Sequence, residues 1–310
     1  MVQILTDLDL TRLLTVEKMV STMEQALEAH AAGSLIAPPR FSIDTPRGGL
    51  VFTAGAETER AKVLGFRVYD TFASASPDRT QLVAVYDSET GGFRGLVVGI
   101  LLGALRTAAI NAVAIKHMAR PDARILGVLG SGFQARRQVQ LALAVRPFEE
   151  VRVYSPTASH TDAFAAEMSA SLNIPVIPGE SAEDVVRRAD VLIAATTSPT
   201  PVFEPGWLRR GTHINTIGPK FQDMHELSPE VARRSAVVAT DSLEQVDEYP
   251  RPFFLADTPD RDRMVELGDI VAGQEPGRTS PDDVTLFCSV GLAGTEVLLA
   301  DAALTMSRLE

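Results

Sequence analysis

Apolar and polar positions along the chain follow two different periods. In residues 15–32, "TVEKMVSTMEQALEAHAA", the apolar side chains Val16, Met19, Val20, Met23, Ala26 and Leu27 recur at helical spacing, and Gly33 follows as a C-terminal cap. Pro38 and Pro39 force an extended segment that ends in Arg40 and Phe41. From 41 to 102 the runs shorten and turn residues punctuate them. "GGLVFTAG", "VLGFRVYD" and "TQLVAVYD" read as strands, "SETGGFRG" as a hairpin connection and "RGLVVGIL" as its return strand, so the pattern predicts an antiparallel or mixed sheet. The Ala-rich "LRTAAINAVAIKHMA" predicts a helix that stops at Pro121.

From 124 onward strands and helices alternate. The predicted order is strand "RILGVLG", helix 133–145, strand "EVRVYS", helix 158–172, strand "PVIP", helix 181–188, strand "DVLIAAT", strand "THINTIG", a short helix opened by Ser228-Pro229, and strand "AVVATD", which closes the series. Such alternation predicts an α/β fold whose parallel sheet is covered on both faces. The C-terminal "GLAGTEVLLADAALTMSRLE" reads as a helix packing back on the first domain.

Composition narrows the class. A chain of 310 residues exceeds one ordinary core and implies two domains. With 45% hydrophobic and 22% charged residues it reads as soluble and globular. The net charge of -11 argues against a nucleic-acid partner, whose phosphates would repel it. The single cysteine, Cys288, excludes an internal disulfide and reads as a small core residue. "MVQILTDLDL" carries acids and no basic region, unlike a signal peptide, and the apolar run "GLVVGILLGAL" between Arg94 and Arg106 is too short to span a bilayer. The expectation is a cytoplasmic protein with no membrane partner. The histidines show no metal-ligand spacing, so no metal is expected, and no hydrolase motif is present.

The sharpest motif is "ILGVLGSGFQARRQ", residues 125–138. Here G-x-G-x-x-A follows an apolar strand and opens a helix, the context in which it binds a dinucleotide rather than merely turning the chain. Gly130 permits the tight turn, Gly132 lets the backbone approach a pyrophosphate, and Ala135 packs helix on strand. The phosphates then meet free N–H groups at the helix start. The second strand ends "VYSPTASH", with no acid for ribose hydroxyls. Ser155, Thr157, Ser159 and His160 offer hydrogen bonds to a 2′-phosphate instead, which favours NADP(H) over NAD(H).

With these residues in view, "LGALRTAAINAVAIKHMARPDARILGVLGSGFQAR" resembles the ornithine cyclodeaminase/μ-crystallin family, and "HINTIG", "HEL" and "SVGLA" match later family blocks in order. The resemblance implies a doubly wound Rossmann domain at 120–288. It also implies an α+β substrate-binding and dimerisation domain at 1–119, completed by a helix at 289–310. The implied cofactor contacts are Thr107, the turn residues Gly130, Ser131, Gly132, Phe133 and Gln134, then Ser155, Thr157 and His160, then Thr196, Thr197, Ser198, Ile217, Gly218, Ser289 and Gly291.

Arg106, set between "GILLGAL" and the Ala-rich helix, is costly to bury unless paired, either with a substrate carboxylate or with a protein acid. By similarity it binds the substrate carboxylate, with Arg40 as a second arginine of that site. Three positions depart from the family pattern. Arg67 stands where many members have a lysine, and arginine cannot shuttle a proton. Lys220 stands near a cyclodeaminase aspartate, and Phe52 or Thr53 replaces a cyclodeaminase glutamate, with Glu57 and Glu59 only further on. We read Arg67 and Lys220 as a compensating catalytic pair in which Lys220 supplies the titratable group. His213 and His225 are further proton-donor candidates, one of them structural.

These features imply an NAD(P)-dependent oxidoreductase that moves hydride at the C–N/C=N centre of a small amino or cyclic imino acid, working as a homodimer. The alternatives are an ornithine-type cyclodeaminase with catalytic NAD, which the departures weigh against, and a crystallin-like protein that binds NADP and a small ligand without turnover.

Overall fold

The computed structural model describes residues 2–72, 80–249 and 251–309. The chain divides into two compact units, one formed by 1–109 with 291–310 and the other by 110–290. The resemblance set the division later, at 119/120, and closed the second domain at 288.

The first unit opens with β1 (Ile4–Thr6), α1 (Asp7–Leu13) and α2 (Val16–Ala31). Thr15 caps α2 by accepting from the Lys18 N–H, and of the predicted apolar stripe Met19, Val20, Met23, Ala26 and Leu27 are buried while Val16 is half-buried. The strands β2 (Leu35–Ile36), β3 (Phe41–Thr45), β4 (Gly48–Glu57), β5 (Val63–Asp70), β6 (Gln81–Asp87) and β7 (Phe93–Gly99) follow. Their sheet runs β1-β7-β6-β5-β4-β2, with β3 pairing β4 as well. It is mixed: β1 runs parallel to β7 and the other pairs are antiparallel. Then α3 (Leu101–Met118) carries the chain into the second unit. Its first turn is held by the Asp7 carboxylate, which accepts from the Ile100 and Leu101 N–H groups.

The second unit contains β8 (Ile125–Leu129), α4 (Phe133–Val145), β9 (Glu150–Tyr154), α5 (Ala158–Leu172), β10 (Val176–Pro178), α6 (Ala182–Arg188), β11 (Val191–Ala194) and β12 (His213–Thr216). A small hairpin, β13 (Lys220–Phe221) with β14 (Met224–His225), precedes α7 (Pro229–Arg234) and β15 (Val237–Thr240). The sequence pattern closed the sheet there. The structure adds α8 (Leu243–Asp247), α9 (Pro259–Asp262), β16 (Met264–Glu266), α10 (Leu267–Val271) and β17 (Thr285–Cys288). All pairs in this sheet are parallel, in the order β10-β9-β8-β11-β12-β17-β15-β16. The last strand in sequence therefore lies between β12 and β15. Its four residues, T-L-F-C, are all buried, so no polar alternation marked it as a strand. The thiol of Cys288 is fully buried and its pKa is pushed up to about 12 by burial, with the Lys220 charge opposing.

The chain returns to the first unit as α11 (Thr295–Ser307), after residues 289–294 that are not helical, so the helix begins later than the resemblance implied. It packs over β5, β6 and β7 and against α2. Val297, Leu299, Ala300, Ala303 and Leu304 are buried along it, and so is Glu296. No helix among the described residues is long and apolar enough to cross a membrane.

Two polar groups sit in the central strand β12. His213 hydrogen-bonds to Thr285 Oγ1 and Asn215 Oδ1, both at 2.8 Å, and the Asn215 amide donates to the Asn111 carbonyl at 3.0 Å. Burial, reinforced by the nearby Arg278 charge, lowers the His213 pKa from 6.5 to about 3. His213 is thus the structural histidine of the pair. In the unfolded chain it takes up a proton near its ordinary pKa, while the folded protein keeps it neutral. Between these values the unfolded state binds more protons, so stability falls as pH drops from about 6.5 toward 3. Urea unfolding measured across that window should show this slope, and His213→Asn should flatten it; an unchanged slope in the variant would contradict the assignment.

Candidate functional site

The turn after β8 meets the demands of a dinucleotide cradle. Gly130 has φ +105°, and a Cβ there would lie 2.4 Å from the Ala195 carbonyl oxygen. A Cβ on Gly132 would meet nothing within 4 Å, so the backbone at this point faces open space. Gly132 is the N-cap of α4 and supplies no side-chain cap, which leaves first-turn N–H groups available to an anion. A cavity of about 730 Å³ lies here, lined by Gly130, Ser131, Gly132, Ser155, His160 and Thr196–Ser198, and also by Arg136. These residues fit a dinucleotide.

Thr157 is the N-cap of α5, beside this lining. Phe133 is exposed at the start of α4, and the buried Oε1 of Gln134 has no hydrogen bond among the described residues. Beyond β12, Ile217 and Gly218 are held by Glu226, which the sequence reading missed. This fully buried carboxylate accepts from the N–H groups of Ile217 (3.1 Å), Gly218 (2.6 Å) and Thr196 (2.9 Å), and from the hydroxyls of Thr196 (2.8 Å) and Thr216 (2.7 Å). It staples together the loops that leave β11 and β12, where open α/β sheets bind ligands. Lys220 is buried in the same loop and donates to the Gly218 carbonyl at 2.6 Å, so it is not the exposed lysine a loop position suggests. Ser289 donates its N–H to the Thr216 carbonyl. His225 is half-buried, with Nδ1 2.9 Å from the Phe221 carbonyl oxygen.

In the first unit two predicted arginines, Arg67 and Arg106, share one acid. Arg67 on β5 and Arg106 on α3 are 8% and 7% exposed, and each places a guanidinium nitrogen 3.0 Å from the same oxygen, Oε1 of Glu296 on α11. Burial pushes the Glu296 carboxyl up, but the Arg106 and Arg67 charges outweigh it and hold the pKa below the ordinary value. Arg67 also donates through Nε and Nη2 to Gln81 Oε1 at 3.1 and 2.6 Å, and stacks 4.4 Å from the Tyr69 ring centroid. Its guanidinium covers Gly103, where a Cβ would lie 2.5 Å from Nη2.

Arg106 realises the protein acid as partner on one nitrogen only. Its Nε and Nη1 are buried and have no hydrogen-bond partner among the described residues. At Gly291 (φ +95°) a Cβ would find Arg106 Nη1 at 3.1 Å, Arg106 Nη2 at 3.2 Å and Arg40 Nη2 at 3.3 Å, so the two guanidinium tips converge on this glycine. Arg40 donates to the Tyr69 hydroxyl at 3.4 Å. Two arginines on one glutamate leave a positive charge, and orphaned buried donors are costly unless an anion takes them. A carboxylate is the natural guest.

Thr107 spends its hydroxyl on the Gly103 carbonyl. Phe52 stacks on Phe41, and Glu57 accepts from the backbone N–H groups of Glu59 and Arg60, closing a turn. Neither supplies a carboxylate to the arginine cluster. Glu296 was legible in principle: an acid inside apolar "TEVLLA" is as costly to bury as Arg106.

A family model described as ornithine cyclodeaminase/mu-crystallin matches residues 2–303. The chain belongs to this family. A Delta(1)-pyrroline-2-carboxylate reductase of Bacillus cereus is 30% identical over 304 residues, 93% of this chain and 91% of that protein. The Delta(1)-pyrroline-2-carboxylate reductase of Thermococcus litoralis, solved with NADH and L-proline, superposes with TM-score 0.88 at 31% identity, covering 99% of this chain and 97% of that one. An archaeal alanine dehydrogenase dimer with bound NAD gives TM-score 0.89 at 25% identity, covering 99% and 96%.

Membership of this family leaves the arginine–glutamate cluster as a physical claim that folding can test. Glu296→Leu removes the shared counter-charge and strands two buried arginines, so it should cost about 3–5 kcal/mol in urea unfolding. Arg106→Met in the same background should recover part of that loss. A cost below about 1 kcal/mol would mean the pair does not need its acid.

Proposed function

We propose that this protein is an NAD(P)-dependent oxidoreductase that reduces the C=N bond of a small imino acid, or oxidises the corresponding amino acid. One observation carries the reading: among the described residues Arg106 has buried donors without partners, and its tip meets that of Arg40. Relatives named as imine reductases supply the reaction class.

A nicotinamide held at this turn would supply or accept the hydride. Thr107, the glycine turn from Gly130 to Gln134, Ser155, Thr157, His160, Thr196–Ser198, Ile217, Gly218, Ser289 and Gly291 form its proposed contacts. Arg106 and Arg40 hold the substrate carboxylate and so fix the position of the adjacent carbon. Arg67 polarises the substrate. It cannot release a proton at working pH, so Lys220 or a water does that work. NADP(H) is the proposed cofactor, on the absence of an acid at the end of β9. Cytoplasmic residence belongs to the same reading.

Loss of reduced-nicotinamide absorbance with cyclic imino acids should show substrate-dependent turnover. Arg106→Met should lower kcat/KM by about 100-fold. Lys220→Met should lower kcat by about 100-fold while Lys220→Arg, which keeps the charge, gives no rescue. Turnover within a few fold of wild type in Lys220→Met would remove Lys220 from the proton path. Cofactor binding with no turnover on any imino or amino acid would favour the binding-protein reading.

The proposal includes a homodimer. Strand β3 is exposed along its whole length, and Phe41, Ile43 and Leu50 are 58%, 59% and 42% exposed on β3 and β4, an apolar surface that a second copy would cover. Ile43→Asp should shift the protein to a monomer in sedimentation velocity; a wild type that sediments as a monomer would overturn this part.

A further inference from the structure

The sequence places no arginine beside Ser155, Thr157 and His160, but the fold brings one there from another element. Arg136, in the first turn of α4, lines the same cavity as Ser155 and His160. Its Nη1 donates to the carbonyl oxygens of Ser131 (2.6 Å) and Gly132 (3.1 Å), which pins one corner of the guanidinium to the glycine turn. Its Nε lies 3.0 and 2.9 Å from the two carboxylate oxygens of Glu167 on α5, and its Nη2 lies 2.8 Å from Oε2. The guanidinium carbon sits 5.2 Å from the Phe164 ring centroid. The Nε/Nη2 edge is the one an arginine offers to a phosphate in two parallel hydrogen bonds. Here Glu167 occupies it.

The lining of this cavity contains no carboxylate among the described residues. Glu167 is 53% exposed, so its carboxylate can swing into water at little cost. Arg136, pinned through Nη1, would stay in place. We propose that Arg136 distinguishes the 2′-phosphate of NADP from the 2′-hydroxyl of NAD, and that Glu167 is the competing anion that holds its edge until a phosphate displaces it. The inference rests on reading the cavity as the dinucleotide site. It makes Glu167 a restraint on NADP preference: NADH leaves the ion pair intact, whereas NADPH must break it.

Direct binding decides this without turnover. The dissociation constants of NADPH and NADH would be measured by calorimetry on the full chain, as wild type, Glu167→Gln, Arg136→Met and Arg136→Lys. The readout is the ratio of the NADH constant to the NADPH constant, which is insensitive to any general loosening of the glycine turn. Glu167→Gln should raise it about fivefold, and Arg136→Met should lower it about tenfold, with Arg136→Lys between wild type and Met. Should Arg136→Met fail to fold, the surface substitution Glu167→Gln decides alone. An unchanged ratio in Glu167→Gln overturns the competition, and an unchanged ratio in a folded Arg136→Met overturns the selector. A wild type that binds neither nucleotide would instead overturn the dinucleotide reading itself.

Discussion

The first unit depends on one shared carboxylate oxygen. Glu296 Oε1 lies 3.0 Å from nitrogens of both Arg67 and Arg106, and all three residues are buried. Burying any of these charges alone would cost several kcal/mol. Together they hold β5, α3 and α11 in register, because each element contributes one of them. The same arrangement is incomplete in charge. One acid cannot neutralise two guanidinium groups, and two buried nitrogens of Arg106 have no partner among the described residues. The interaction that ties the sheet to its helices thereby creates the demand for an anion.

The second unit is organised around backbone N–H groups. Its glycine turn and the uncapped start of α4 present backbone N–H groups to a phosphate. Glu226 fixes the neighbouring loops by accepting five hydrogen bonds, three of them from backbone N–H groups. A carboxylate so solvated by the protein can be fully buried without a direct cation. Unpaired positive charge is thus held in one unit, and backbone N–H groups at a glycine turn in the other.

Much of this was legible in the sequence, for identifiable reasons. Helical periodicity located α2, α4 and α5 closely, and the G-x-G-x-x-A turn announced itself by standing between an apolar strand and a helix. Arg106 stood out because an arginine in an apolar run demands a partner. What escaped were features made by distant parts of the chain. Strand β17 has four buried residues and no alternation, so nothing local separates it from a loop's apolar patch. Glu296 is 190 residues from Arg106 in sequence, and Glu226 gains its role only when two loops meet. Arg136 drew no notice in the sequence, because only the fold sets it in one cavity with Ser155 and His160.

On the proposed reading, the guanidinium tips of Arg106 and Arg40 bind the carboxylate of a small amino or imino acid. The most direct measurement is calorimetric titration of cofactor-loaded protein with a cyclic amino acid and with its carboxamide, which matches it in shape but lacks the charge. The acid should bind at least about tenfold more tightly than the amide, and this difference should disappear in Arg106→Met. Equal affinity for acid and amide in the wild type would contradict it.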